Sequence, residues 1–94
     1  MDSGIGGATA AAVGERLARV ADEVQVLLVT HSPQVAARGG AHLRVAKHVA
    51  KGRAETRVEP LLGAERQEEI ARMLAGETVT EAARAAARSL MGAP

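Results

Sequence analysis

The sequence contains no cysteine, phenylalanine, tyrosine or tryptophan. Without cysteine the chain can form neither a disulfide nor a Cys-ligated zinc site, and a domain without such cross-links fits a reducing compartment. Without aromatic residues the core must be aliphatic, and much of the 47% hydrophobic fraction is alanine, which buries little area per residue. We therefore expect a marginally stable small fold, or a piece of a larger one.

Strong charge of one sign and long hydrophobic runs are missing as well. Twelve basic and eleven acidic residues leave a net charge of +1, which is too balanced to predict nucleic-acid binding from the overall field. No hydrophobic run approaches the roughly 18 to 20 residues that cross a bilayer. The amino-terminal residues also lack the pattern of a secretory signal. We predict a single cytoplasmic unit with no membrane partner.

The most informative stretch is an aliphatic run that ends in a histidine. Five of the six residues from Val24 to Val29 are aliphatic, which predicts a strand buried on both faces, as in parallel α/β sheets. His31 lies where this strand would emerge. Ligands of open α/β sheets collect outside the carboxyl ends of the strands, so His31 is well placed for chemistry.

Hydrophobic periodicity and end signals predict the other elements. Apolar residues at helical spacing indicate a helix over 8–21, and the alternation on both sides of Lys51-Gly52-Arg53 indicates an antiparallel edge hairpin that Pro60 would end. The remaining helices are a short one begun by Ser32-Pro33 and closed by Gly39-Gly40, one over 64–75 stopped by Gly76, and a last one capped by Thr78 that runs to about residue 90.

Several polar residues allow both an ordinary and a functional interpretation. His31 could face solvent or cap the following helix, or it could contact a ligand near the free N–H groups of that helix. His42 and His48 would share one face of the hairpin, but their spacing matches no familiar metal motif. The glycines of residues 4–7 could cradle a phosphate, although they match neither the Walker A nor the dinucleotide pattern. The Glu68-Glu69 and Glu65-Arg66 clusters are predicted to be a solvated helix face.

Two motifs in order, with a third stretch after them, carry a family resemblance. Asp2-Ser3-Gly4-Ile5-Gly6-Gly7 is followed by Val26-Leu27-Leu28-Val29-Thr30-His31-Ser32-Pro33-Gln34, and then by Glu69-Ile70-Ala71-Arg72-Met73-Leu74. The sequence resembles the carboxyl-terminal end of the ATPase head of RecN, the bacterial double-strand-break repair protein related to SMC proteins. The resemblance implies an α/β fold, the C-terminal lobe of an ABC/SMC-type P-loop ATPase head over 1–94. Its parts would be a D-loop at 2–7, a switch strand and H-loop at 24–34, the hairpin at 43–61 and helices over 64–91.

The resemblance also implies roles for particular residues. Asp2 would be the D-loop aspartate that meets the partner head across an ATP-sandwiched dimer. His31 would be the catalytic switch histidine that reaches the γ-phosphate, as phosphoryl transfer requires of a group that orients water. Ser3, Gly4 and Gln34 would join Asp2 at the nucleotide.

The sequence lacks a Walker A loop, a Walker B strand and a signature motif, which the family places before Asp2. We therefore expect a fragment that cannot hydrolyse ATP alone and needs the amino-terminal lobe of the head. ATP and Mg²⁺ would be cofactors of the complete head and of no isolated fragment. The complete protein would dimerise across ATP and act on DNA. The alternative is a non-enzymatic α/β module that self-associates or binds a partner.

Overall fold

A computed structural model describes residues 6–92 of the chain. These residues form a small α/β fold in which four helices accompany one two-stranded sheet. The elements in chain order are α1 (Gly7–Val20), α2 (Pro33–Ala36), β1 (His42–Ala50), β2 (Arg53–Leu61), α3 (Ala64–Ala75) and α4 (Glu81–Leu90).

The predicted hairpin is confirmed. Strands β1 and β2 are antiparallel with Val45 opposite Val58, and a two-residue turn of Lys51 and Gly52 joins them. Both turn residues have positive φ, at 53° and 75°, as a tight hairpin turn with the right twist requires. Pro60 lies opposite Leu43, and the strand continues one residue beyond the proline to Leu61.

The predicted end of α3 is confirmed, and the predicted N-cap of α4 is wrong. Gly76, with φ +82°, ends α3 as predicted. The cap of α4 is Thr80 and not Thr78, because the Ala83 N–H donates to Thr80 Oγ1 at 3.1 Å. Val79 explains the later start, since it packs against the core from a position before the helix. Thr78 therefore lies two residues too early to cap.

The core lies between the end of α2 and the facing sides of α3 and α4. Ile70 is the one large side chain that is fully buried among residues 6–92. The alanines around it let the helices approach closely, because a methyl group is the whole side chain. We call this group the alanine core; its members are Ala37, Ile70, Ala71, Ala83 and Ala87, with Met73, Leu74 and Leu90 packed at its edge.

The prediction of a strand buried on both faces is wrong for this structure. Residues 25–30 form no strand, and the side chains of Val24, Leu27 and Val29 are 60%, 85% and 86% exposed. A parallel strand needs neighbouring strands on which to pair, whereas the sheet within the described residues consists of one self-contained hairpin. Residues 24–29 are called the apolar segment below.

Helix α1 precedes the apolar segment, close to its predicted limits of 8 and 21. It buries Ala10 and Gly14 against α2, while Val20 at its end is half exposed. Within residues 6–92 no helix is both long enough and apolar enough to span a membrane.

Candidate functional site

The residues that follow the apolar segment form a tightly bonded turn. The Ser32 N–H donates to Thr30 Oγ1 at 3.0 Å, and the Ser32 hydroxyl donates to Gln34 Oε1 at 3.1 Å. The Val35 N–H donates to Ser32 Oγ at 3.4 Å, so Ser32 is the N-cap of α2 as predicted. Ser32 is buried, and the bonds on both sides of it fix the backbone next to His31.

His31 occupies the last exposed position before this turn. His31 is exposed. Burial of its ring among aliphatic side chains would have ruled out contact with a ligand. An imidazole at this place can donate or accept a hydrogen bond near neutral pH. Exposure fits both interpretations offered by the sequence, the solvent-facing histidine and the ligand-contacting one.

The start of α1 lies beside the same turn. A methyl group placed on Gly7 would be 3.4 Å from the Gln34 Nε2 atom, which is ordinary van der Waals contact. The glycine-rich loop therefore leads into α1 next to Gln34. Asp2, Ser3 and Gly4, which the resemblance assigns to nucleotide binding, lie outside the described residues, so their meeting with His31 stays a prediction.

A second glycine brings α1 and α2 together along their sides. A methyl group on Gly14 would lie 3.2 Å from both the Gln34 carbonyl oxygen and the Val35 Cα. These are backbone atoms that cannot rotate away, so the contact depends on the missing side chain of Gly14. Two places on α1 thus pack against the backbone and side chain of the turn that follows His31.

Arg66 reaches the other end of α2 from helix α3. Its Nη2 group donates to the carbonyl oxygens of Ala36 at 3.3 Å and Ala37 at 3.4 Å, and also to that of Gly39. These carbonyls lie at and just after the end of α2, where no further turn of helix supplies N–H donors for them to accept from. The sequence predicted a solvated helix face at Arg66, because a single arginine after a glutamate is typical of an ordinary helix surface.

Helix α3 also carries a buried carboxylate where a solvated face was predicted. Glu69 is only 7% exposed, and both its oxygens accept from Arg72 at 2.7 Å. The hydrogen bond from Arg72 holds the pKa of Glu69 below its ordinary value against the opposing effect of burial. Arg44 of β1 lies 3.9 Å from the same carboxylate and so connects the hairpin to α3. The Glu69-Arg72 spacing of three residues was the available sequence signal.

The two hairpin histidines lie on the same face of β1, as predicted, but have different surroundings. His48 Nε2 is 3.0 Å from Glu59 Oε1, and this hydrogen bond lowers the pKa of Glu59. Burial, and then the charge of Arg66, lower the pKa of His42. Among residues 6–92, no group of three or more His, Asp or Glu side chains is placed to hold a metal ion.

Comparison with known proteins gives the chain its relatives. No protein-family model matches it. The DNA repair protein RecN of Deinococcus radiodurans is 55% identical over 91 residues, which are 97% of this chain and 16% of that protein. RecN of Bacillus subtilis is 43% identical over the same length. RecN of Rickettsia bellii is 42% identical over 94 residues, the whole of this chain and 17% of that protein.

The similarity extends through every element described above, from α1 to α4, and it lies in the C-terminal part of the RecN sequences. The chain spans about one sixth of the length of these relatives. The apolar segment, exposed in this structure, belongs to the matched residues. The chain matches a C-terminal segment of these much longer relatives. By sequence, it belongs to the RecN family of DNA repair proteins.

Proposed function

We propose that this chain is the part of a RecN-type ATPase head that supplies the D-loop and the switch histidine to a composite ATP site, in the repair and recombination of broken DNA. In this proposal His31 contacts the terminal phosphate. Asp2 meets the partner head across an ATP-bound homodimer, with Ser3, Gly4 and Gln34 beside the nucleotide. The amino-terminal lobe of the head is the partner that completes the site.

The observation that carries the proposal is the meeting of two distant sequence motifs. Gly7 ends the motif that begins at Asp2, and it lies against the side chain of Gln34, three residues after the exposed His31. An ATP site shared by these motifs needs them side by side. Gly14 supports the same arrangement, because it keeps α1 against the backbone of α2.

The chemistry proposed for His31 is modest and specific. A neutral or protonated imidazole at the end of a rigidly bonded turn can hydrogen-bond the γ-phosphate and orient the attacking water. The proposal assigns the Mg²⁺ ligands and the main phosphate cradle to the amino-terminal lobe, whose motifs are absent from this sequence. Alone, this chain would then leave ATP intact.

The apolar segment supports the need for a second lobe. Leu27 and Val29 expose most of their side chains, and exposed aliphatic stretches of this kind mark surfaces that another part of an assembly covers. In a complete head the segment would be covered by that lobe. This placement also sets His31 at the boundary between the two lobes.

The test is a chimera of RecN from Deinococcus radiodurans in which this chain replaces the matching segment. We expect the chimera to hydrolyse ATP and the His31→Ala variant to lose turnover by about 100-fold or more, as removal of a proton-handling or water-orienting group does. His48→Ala is the control, since His48 lies on the hairpin and contacts Glu59. Equal turnover of the two variants would refute the assignment.

A second candidate function is self-association without catalysis. It is favoured by the same exposure of Leu27 and Val29, which gives one copy of the chain an apolar surface to offer another. It differs from the first candidate in needing no amino-terminal lobe and no nucleotide.

Sedimentation of the isolated chain separates the candidates. Self-association predicts an oligomer that dissociates in the Leu27→Lys, Val29→Lys double variant, and no ATP turnover in the chimera. Gln25→Lys in the same segment is the control for added charge. A monomer at high concentration would contradict the second candidate.

A further inference from the structure

We propose that Arg66 is a positioning residue for His31: by holding the C-terminal end of α2, it sets the orientation of the turn that presents the histidine. The inference rests on the proposed function of His31 and adds to it a residue from a different helix, α3. Arg66 lies at the start of α3, one turn before Ile70 of the alanine core.

The first step is the contact itself. The Arg66 guanidinium donates to the carbonyls of Ala36, the last residue of α2, and of Ala37 and Gly39 just after it. Carbonyl oxygens at a helix C-terminus carry a partial negative charge and lack partners within the helix, and a guanidinium presents several donors to them at once. One side chain thus adds to the backbone hydrogen bonds at this end, in which the Arg38 N–H donates to the Val35 carbonyl and the Gly39 N–H to the Ala36 carbonyl.

The second step is the shortness of α2. The helix has four residues, and its turn is closed by bonds from the Ala36 N–H to the Ser32 carbonyl and from the Ala37 N–H to the Pro33 carbonyl, both 2.9 Å. A single turn of helix is unstable in isolation, because nucleation costs more than one or two hydrogen bonds return. Contacts from outside the helix therefore decide its orientation.

The third step connects the two ends. Ser32 caps α2 at its start and directly follows His31, while Arg66 binds the carbonyls at its finish. A rotation of α2 at one end is transmitted through one turn to the other. Ala37 is anchored separately in the alanine core, so loss of Arg66 should loosen the orientation of α2 and leave the core assembled.

The surroundings of Arg66 favour a fixed guanidinium. Its Nε atom is buried and has no hydrogen-bond partner in the part of the chain that the structure describes, so its hydrogen bonds to Ala36, Ala37 and Gly39 all come from the Nη2 group. The guanidinium also acts on His42 of β1, where burial and then the charge of Arg66 lower the pKa of the imidazole.

The first experiment measures amide hydrogen exchange by NMR in the isolated chain. For Arg66→Ala we expect the amides of Ala36 and Ala37 to exchange about tenfold faster or more, with the amides of α3 and α4 unchanged. Arg57→Ala is the control, since Arg57 pairs with Glu55 on the hairpin. Unchanged exchange in α2, or equal acceleration everywhere, would overturn the inference.

The second experiment measures ATP turnover in the chimera described above. We expect Arg66→Ala to lower kcat by about 10- to 100-fold, with KM for ATP within about twofold, because small misplacements of a reacting group reduce rate more than affinity. Arg66→Lys should recover part of the loss. The double variant His31→Ala, Arg66→Ala should be no slower than His31→Ala, since Arg66 acts through His31.

The outcomes separate this inference from the proposed function. If His31→Ala abolishes turnover while Arg66→Ala leaves kcat unchanged, the inference fails and the proposed function survives. If His31→Ala has no effect, the proposed function fails, whatever the exchange of α2 shows. If the Arg66→Ala chimera does not fold, the exchange experiment on the isolated chain decides.

Discussion

The alanine core and the apolar segment both consist mainly of aliphatic residues, yet the first is buried and most of the second is exposed. Ile70, Ala71 and Ala87 have no accessible surface, whereas Leu27 and Val29 expose more than four fifths of theirs. Hydrophobic side chains are buried only where a complementary surface exists within reach. Helices α3 and α4 are such surfaces for each other, whereas residues 6–92 leave Leu27 and Val29 largely uncovered.

The difference follows from the two kinds of secondary structure. A helix satisfies its own backbone hydrogen bonds and needs only one small-residue face to pack on a neighbour. A strand buried on both faces needs backbone partners from other strands before its side chains can be covered. Burial of the helices is therefore local, whereas burial of the apolar segment as a strand needs neighbouring strands, which residues 6–92 do not supply.

The largest expected effect comes from replacing a large side chain by alanine, once in the alanine core and once in the apolar segment. Ile70→Ala should lower the free energy of unfolding by about 2–5 kcal/mol, because it leaves a cavity in the core. Leu27→Ala should change it by less than about 0.5 kcal/mol, because the side chain is already solvated. Urea denaturation at low protein concentration measures both, and similar losses would show that the segment is packed in solution.

The next largest effect tests whether α1 packs against α2 through Gly14. Gly14→Leu should destabilise the chain by about 1–3 kcal/mol, because the added side chain meets backbone atoms of Gln34 and Val35. Ala11→Leu adds the same side chain to an exposed position of the same helix and should be nearly neutral. The comparison uses thermal and urea unfolding. Equal behaviour of the two variants would mean that α1 is not held on α2.

A smaller effect tests where the packed region begins in α4. Thr80→Ala should cost about 1 kcal/mol, because the Ala83 N–H loses its acceptor. Thr78→Ala removes the same hydroxyl from a residue that caps nothing and should cost a few tenths of that. A larger loss in the free energy of unfolding for Thr78→Ala than for Thr80→Ala, measured in the same denaturation experiment, would show that Thr78 is the cap, as the sequence predicted.

The smallest effect is a pH dependence at the junction of the hairpin with α3. Because the native pKa of His42 lies below its ordinary 6.5, the unfolded chain binds the proton first, and stability should fall as the pH drops from about 6.5 towards 5. Burial, and then the charge of Arg66, oppose the charged ring and lower the pKa, while Glu69 favours the charged ring. The lowered pKa of Glu69 and Glu59 contributes stability that is lost only below about 4.5, outside this range.

The His42→Asn variant isolates this contribution. Its denaturation midpoints between pH 7 and pH 5 should decline less steeply than those of the unmodified chain. His48→Asn, on the same face of β1, is the matched control for loss of an imidazole. A slope unchanged by His42→Asn would place the pH dependence elsewhere.

Local signals in the sequence predicted most elements and few of the contacts between them. The Lys51-Gly52 turn, the Gly76 stop and the Ser32-Pro33 start are confirmed because each depends on a few adjacent residues. The cap at Thr78 was wrong because the packing of Val79 decided where α4 could begin. The prediction of a buried strand over the apolar segment was wrong because such a strand needs neighbouring strands, and residues 6–92 place none beside it.

The candidate site shows the same division. His31 could be singled out from sequence by its position after an aliphatic run, and the family resemblance depended on motifs that a reader can find in the printed chain. The ties from Arg66 to α2 and the closeness of Gly14 to Val35 could not be found in this way. They join residues about 30 and 20 positions apart, and no local pattern specifies such distances.

What the sequence by itself determined is most of the elements and the family, since turn chemistry, caps and motifs act over a few neighbouring residues. Only the tertiary structure decided which aliphatic residues are covered and which side chains hold the turn beside His31. The physical reason is that burial and long-range hydrogen bonds require a second surface, and the position of that surface is a property of the whole fold.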